Sequence, residues 1–219
     1  MGMADLAKKW EEYTRLSAEI ALEVRNCLRP ESYVAGSIAP ALKGETPGEV
    51  EGQVMALAEF GVDIILLEYF SRLDSCINGI KESSECGRPV FLGTKHVRTD
   101  GTLYTEESAE TLAISLEDLK VDAILAMYSK PKGISAFLPN LRQDFHGTVG
   151  AYANISYRRN GDKPDYPNRQ WHVIENKQYP PNRYSEFSEQ WLEMGAQIIG
   201  GCCATTPEHI KAMQPLVQA

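Results

Sequence analysis

The chain has 219 residues, of which 43% are hydrophobic and 24% charged, and this composition predicts a single globular domain over residues 1–219. Acidic residues outnumber basic ones by 30 to 22, so the formal charge is −8 and a nucleic-acid backbone is a poor partner. The first 29 residues contain no apolar run of signal-peptide or membrane-span length, which predicts a soluble, cytoplasmic protein.

The spacing of apolar residues predicts alternating helices and strands. From Leu6 to Leu28 they recur every three or four positions, which predicts a long helix with one buried face that ends before Pro30. Thr46 and Pro47 are typical of the start of the next helix. Short apolar runs predict strands at 33–38, 64–67, 89–93, 123–127, 148–152 and 197–199. Further helices are predicted at 106–120, 133–142, 184–194 and after 206, and a long loop at 154–183.

About six strands that alternate with helices are typical of a parallel sheet with helices outside it, either doubly wound or a barrel. In both architectures ligands bind at the carboxyl ends of the strands. The residues that follow the apolar runs are therefore candidates for a functional site: Ser37, Glu68, His96, Tyr128, Asn154, Cys202 and Cys203.

The neighbouring residues Cys202 and Cys203 are the most informative pair. The chain has five cysteines, and adjacent ones pair poorly with each other, which favours a reducing compartment over a disulfide framework. Gly200 and Gly201 allow a tight turn before them, so both thiolates could bind one metal ion, and zinc favours sulfur ligands. A buried pair of small apolar side chains is the alternative that this spacing leaves open.

The segment GGCCATTPEHI, residues 200–210, resembles the zinc signature of the homocysteine S-methyltransferases. The resemblance extends over nearly the whole chain from about residue 33 to 213. The other segments that carry it are Gly36–Pro40, Glu68, Gly133 with Ile134, and Gly150–Asn154.

The resemblance implies a (β/α)8 barrel in which three cysteines hold zinc at the mouth. The metal would activate the thiol of homocysteine, whose sulfur then attacks a methyl group on sulfur or nitrogen and gives methionine. The matching positions imply Cys202 and Cys203 as zinc ligands and Glu68 as the carboxylate that holds the substrate's ammonium group. Ser37 and Asn154 are further candidates for substrate binding at the same mouth.

The third cysteine of the family pattern has no counterpart in this chain. Tyr128 stands at its place, after the strand 123–127, and a phenol is a poorer zinc ligand than a thiolate. His96, which follows the preceding strand, could supply an imidazole nitrogen instead. The candidate metal ligands are therefore Cys202, Cys203, Tyr128 and His96.

The opening strand of the family, the helix after it and the second strand also have no counterpart here. The expected fold is thus an incomplete (β/α)8-barrel-like domain of about six βα units, with parallel strands and outer helices. Unpaired sheet edges are normally covered, paired or charged. The strands could close more tightly, the N-terminal helix could cover an edge, or another chain could complete the barrel, which predicts an oligomer.

Three functions remain open from the sequence. The first is zinc-dependent methyl transfer to the thiol of homocysteine or of a related compound, with an unspecified small methyl donor. The second is a noncatalytic or partner-dependent homologue that acts as a binding or scaffold subunit. The third is methyl transfer that involves a corrinoid partner protein.

Overall fold

The structure, a computed structural model, describes residues 9–40, 48–156 and 177–217. The strands are β1 (Ala35–Ile38), β2 (Ile64–Phe70), β3 (Val90–Lys95), β4 (Ala123–Met127), β5 (Thr148–Ala153) and β6 (Ile198–Gly201). The helices are α1 (Trp10–Leu28), α2 (Glu49–Glu59), α3 (Leu73–Ser83), α4 (Ala109–Leu116), α5 (Pro131–Asp144), α6 (Pro181–Glu193) and α7 (Pro207–Met213). A 3-10 turn, Gln214–Val217, follows α7.

All six strands lie in one sheet in the order β1-β2-β3-β4-β5-β6, and every pair is parallel. This order is that of a barrel wall, because a doubly wound sheet reverses its strand order at a switch point. The fold is therefore an α/β half-barrel of six parallel strands, which confirms the fold class predicted from the sequence. Among the described residues, β1 and β6 each pair with one strand only and form the two edges.

The two faces of the sheet differ in burial. Ile65, Leu67 and Leu92 point toward the helices and are fully buried. Leu66 and Phe91, which are partners in the register of β2 and β3, lie on the inner face and are only partly buried. A closed barrel fills its interior with side chains from opposite strands, so an open half-barrel leaves this face accessible.

Most predicted elements are present with shifted ends. The strand at 123–127 has the predicted bounds, whereas β2 continues to Phe70, three residues beyond its apolar run. Helix α3 was not predicted, although Leu73, Cys76, Ile77 and Ile80 follow helical spacing. The predicted features at Leu6, Thr46 and Pro47, and residues 157–176 of the predicted long loop, lie outside the described residues. No described helix has the length and apolarity that crossing a membrane requires.

The predicted buried face of the N-terminal helix is wrong, because α1 turns it to solvent. Six apolar side chains form this face, here called the α1 stripe: Trp10, Tyr13, Leu16, Ile20, Val24 and Leu28. Their exposed fractions range from 42% to 72%. Ala18, on the opposite side of the helix, is the buried residue of α1. Apolar periodicity thus located the helix and its apolar face but did not determine what covers that face.

A charged contact joins α1 to the sheet. The Arg25 guanidinium lies 3.1 Å from the carboxylate of Asp63. The same carboxylate oxygen accepts a 2.7 Å hydrogen bond from the backbone N–H of Val34, just before β1. The side chains of Arg25 and Asp63 are 18% and 28% exposed, so solvent screens this pair less than a surface pair.

Ser129 ties together the ends of three strands. Its hydroxyl accepts a 2.8 Å hydrogen bond from Val97 N–H, after β3, and donates a 2.7 Å bond to the carbonyl of Met127 in β4. Its backbone carbonyl accepts a 2.9 Å bond from Asn154 N–H, after β5. The Ser129 side chain is buried. The segments that carry His96, Tyr128 and Asn154 are therefore fixed relative to one another.

Replacing Ser129 with alanine should lower the free energy of unfolding by about 1–3 kcal/mol, since the buried Val97 N–H then loses its acceptor. Urea denaturation measures this change. Ser32→Ala, at an exposed serine, is the matched control and should change the same quantity by less than about 0.5 kcal/mol. Equal effects of the two substitutions would contradict the role given to Ser129.

Candidate metal and substrate site

Three aromatic side chains stand at successive strand ends in a rare backbone conformation. Tyr69, His96 and Tyr128 have φ angles of 66°, 59° and 46°, in the left-handed region that non-glycine residues seldom adopt. Their rings form a row: the centroids of Tyr69 and Tyr128 are 5.2 Å apart, and those of Tyr128 and His96 are 5.5 Å apart. Tyr104 extends the row, with its centroid 5.6 Å from that of His96. Strained residues of this kind cluster at functional sites, so the row marks the mouth of the half-barrel as a candidate site.

A β-bulge positions Tyr69. The register of β2 against β3 shifts between Leu67 and Phe70, so β2 carries an extra residue at this point. Bulges next to functional sites re-aim side chains. Burial raises the pKa of Tyr69, and the neighbouring Cys202 and Cys203 raise it further. The phenol therefore lies close enough to both thiols to interact with them electrostatically. The apolar pattern did not identify Tyr69, and its one sequence signal is an aromatic residue directly after Glu68.

Cys202 and Cys203 follow β6, and their sulfur atoms lie 3.8 Å apart. Two thiolates bound to one tetrahedral zinc at about 2.3 Å each would be separated by about 3.8 Å. Burial raises the pKa of Cys202 to about 11, so this thiol stays protonated at neutral pH unless a cation stabilises the thiolate. The pair therefore has the spacing of two sulfur ligands on one metal ion.

A tight turn holds the two cysteines. The Thr205 hydroxyl donates a 2.6 Å hydrogen bond to the carbonyl of Cys202, and Ala204 adopts a left-handed φ of 66°. The next residue, Thr206, caps α7, and its N–H donates a 3.1 Å bond to Nδ1 of His209.

His209 lies one turn into α7, a position that favours exposure to solvent on sequence grounds, but its side chain is buried. Its Nε2 lies 2.9 Å from the carbonyl oxygen of Tyr179. The imidazole thus links the start of α7, which directly follows the cysteine turn, to the segment before α6.

The carboxylate of Glu68 is held from two sides of the half-barrel. Ser37 Oγ, on β1, donates to one oxygen, and Tyr152 Oη, on β5, donates to the other over 2.9 Å. Burial and the Glu68 charge raise the pKa of Tyr152, so its phenol stays protonated and acts as a donor. Gly93 leaves the necessary space, because a Cβ there would lie 2.6 Å from Tyr152 Oη. Glu68 and Ser37 are therefore in direct contact at the mouth.

The Tyr128 backbone lies close enough to the Cys202 sulfur to lower the pKa of that thiol. The His96 side chain is only partly covered, but this partial burial and the Lys95 charge lower its pKa, which favours a neutral imidazole. The side-chain oxygen of Asn154 accepts two hydrogen bonds from Ser156, one of 2.9 Å from its N–H and one of 2.5 Å from its hydroxyl.

In the described part of the chain, no group of three or more His, Cys, Asp or Glu side chains is placed to hold a metal ion. The two sulfur atoms fit zinc by their spacing and their chemistry. Among the described residues, the candidates for a further ligand are the phenols of Tyr69 and Tyr128 and the imidazole of His96. The assignment of these metal ligands stays a prediction.

The comparison with known families decides the relationship. The family model described as homocysteine S-methyltransferase matches residues 1–217, almost the full chain. The chain belongs to the homocysteine S-methyltransferase family.

Individual relatives agree with this family. A methionine synthase of Mycobacterium leprae is 26% identical over 238 residues, which cover 99% of this chain but only 19% of that protein. Homocysteine S-methyltransferase 2 of Saccharomyces cerevisiae is 25% identical over 229 residues, or 94% of this chain and 69% of the yeast protein. This member of the family thus spans about a fifth of the mycobacterial protein and about two thirds of the yeast one.

A solved structure shares the fold. The metallated form of the homocysteine methyltransferase MmuM from Escherichia coli aligns with a TM-score of 0.72 at 17% identity. The alignment covers 94% of this chain and 70% of MmuM. This member of the homocysteine S-methyltransferase family therefore aligns with only part of the MmuM fold.

Proposed function

We propose that this chain binds zinc through Cys202 and Cys203 and transfers a methyl group to the thiol of homocysteine or a related amino-acid thiol. The observation that carries the proposal is the pair of sulfur atoms 3.8 Å apart at the mouth that also contains Glu68. Membership of the homocysteine S-methyltransferase family supports the choice of substrate class. The methylated product of homocysteine would be methionine.

The substrate would be recognised at both ends. Homocysteine carries an ammonium group next to its carboxylate and a thiol at the end of its side chain. Glu68 accepts hydrogen bonds and bears a negative charge, so it suits the ammonium group. Ser37 and Tyr152 hold this carboxylate before any ligand arrives, which reduces the ordering that binding requires.

Cys202 and Cys203 would hold the metal, with an oxygen from Tyr69 or Tyr128 or a nitrogen from His96 as a weaker third ligand. Bound zinc stabilises thiolates, so it would keep a substrate thiol deprotonated at neutral pH. The aromatic row would limit access of water to the mouth. A weaker third ligand lowers the expected zinc affinity relative to a site with three cysteines.

A second candidate is a noncatalytic or partner-dependent homologue. Two observations favour it: Tyr128 stands at the place of the third cysteine, and the sheet has two unpaired edges among the described residues. In that case the chain would retain the fold and bind a ligand or another protein without turnover.

Cys202→Ser should abolish both zinc binding and methyl transfer, because one of two sulfur ligands is lost. Purified wild-type chain incubated with zinc should retain about one metal ion per chain, measured by atomic emission. Methionine formation from homocysteine, with sulfonium and N-methyl compounds as donors, gives the second readout.

Cys27→Ser, at an exposed cysteine in α1, is the matched control and should leave both quantities unchanged. Zinc content that is equal in wild type and Cys202→Ser would contradict the metal site. Zinc binding without methionine formation from any donor would instead favour the noncatalytic homologue.

Glu68→Gln should weaken binding of homocysteine to the zinc-loaded chain by about tenfold or more, because a charge-assisted hydrogen bond is replaced by a neutral one. Isothermal titration calorimetry measures the dissociation constant. The compound 4-mercaptobutanoate lacks only the amino group, so its affinity should be nearly the same for wild type and Glu68→Gln. An equal loss of affinity for both thiols would rule out the contact between Glu68 and the ammonium group.

A further inference from the structure

The α1 stripe is an exposed apolar surface that the candidate site does not use. It contributes half of the large apolar side chains that are exposed in the described part of the chain. The remaining exposed apolar residues are spread over other elements, as is normal for a protein surface. The concentration on one helix therefore needs an explanation.

The stripe is continuous. At 100° per residue its six side chains fall within an arc of about 120° of the helix, and they extend along about 27 Å of its axis. At the observed exposures they present on the order of 600 Å² to solvent, whereas a stable interface buries about 800 Å² on each partner. Exposed patches of a few hundred Å² or more mark interaction surfaces.

The opposite side of α1 is attached loosely to the domain. A cavity of about 310 Å³ lies between this helix and the sheet edge. Small side chains of α1, among them Ser17, Ala18 and Ala21, line it together with Ala35 and Gly36 of β1. The large apolar residues of α1 thus contribute little to packing within one chain.

The charges along the stripe favour a second copy as its occupant. From Lys9 to Arg29 the chain has four acidic and four basic residues, whereas the whole chain has a formal charge of −8. Two neighbouring pairs are already satisfied within the helix, Arg15 with Glu19 at 2.6 Å and Lys9 with Glu12 at 3.5 Å. This neutral segment attracts no oppositely charged partner, and two copies can meet here without like-charge repulsion between the facing segments.

We propose that the α1 stripe is the interface of a homodimer, in which the α1 helices of two chains pack against each other across a two-fold axis. A two-fold axis brings the same patch of both chains together, so the patch must be complementary to itself. Six apolar side chains from each chain then lose their exposed surface. The interface is separate from Cys202, Cys203 and Glu68, so the proposal does not depend on the proposed enzymatic function.

Sedimentation velocity at several protein concentrations tests the dimer. Wild-type chain should sediment with twice its mass of 24.4 kDa. The double variant Ile20→Glu with Val24→Glu should be monomeric, or dissociate with a constant raised at least about tenfold, since each dimer then buries four carboxylates. Both positions are more than half exposed in one chain, so folding of the monomer should persist.

Ile114→Glu, on the exposed side of α4, introduces the same chemical change away from the stripe and should leave the dimer intact. Circular dichroism checks the helix content of each variant. Leu16→Lys provides a second stripe variant if the double one unfolds. A wild-type chain that is monomeric at every concentration, or a dimer that survives the folded stripe variants, would overturn the proposal.

Discussion

The parallel pairing of six consecutive strands is the constraint on which the candidate site depends. It brings residues from distant parts of the sequence to one rim of the sheet, because all the strands end on the same side. The bonds of Ser129 then fix the ends of β3, β4 and β5 relative to one another. Glu68 and Tyr152 are 84 residues apart in sequence and form a hydrogen bond across this rim.

The electrostatics of the rim connect the fold to the proposed chemistry. Cys202, Tyr69 and Tyr152 are all weak acids whose pKa is raised by burial. Without a cation the site therefore holds these three groups in their neutral forms. A divalent ion would reverse this preference for the sulfur atoms, since ligation favours the thiolate. The raised pKa of Cys202 disfavours a free thiolate, so the pair of cysteines suits metal binding better than it suits nucleophilic attack by an isolated thiol.

The sequence predicted the features that depend on local pattern. The strand Ala123–Met127 was found with its bounds because all five residues are apolar and buried. Cys202, Cys203 and Glu68 were proposed as site residues because they stand at or just after the ends of short apolar runs. The turn glycines before the cysteines gave a further local signal.

Features that depend on tertiary contacts were missed. Tyr69 reaches the mouth through a bulge in β2 that no apolar pattern encodes. His209 is buried where Tyr179 and Tyr184 contact it, and the α1 stripe is exposed because no described element covers it. In each case the local sequence is compatible with either environment, and the neighbouring elements decide between them.

X-ray absorption at the zinc edge counts the sulfur atoms bound to the metal and so tests whether the two cysteines hold zinc that a thiol can reach. We expect two sulfur neighbours at about 2.3 Å in the zinc-loaded chain and three after homocysteine is added. A shell made only of nitrogen and oxygen, or a sulfur count that homocysteine does not change, would contradict it.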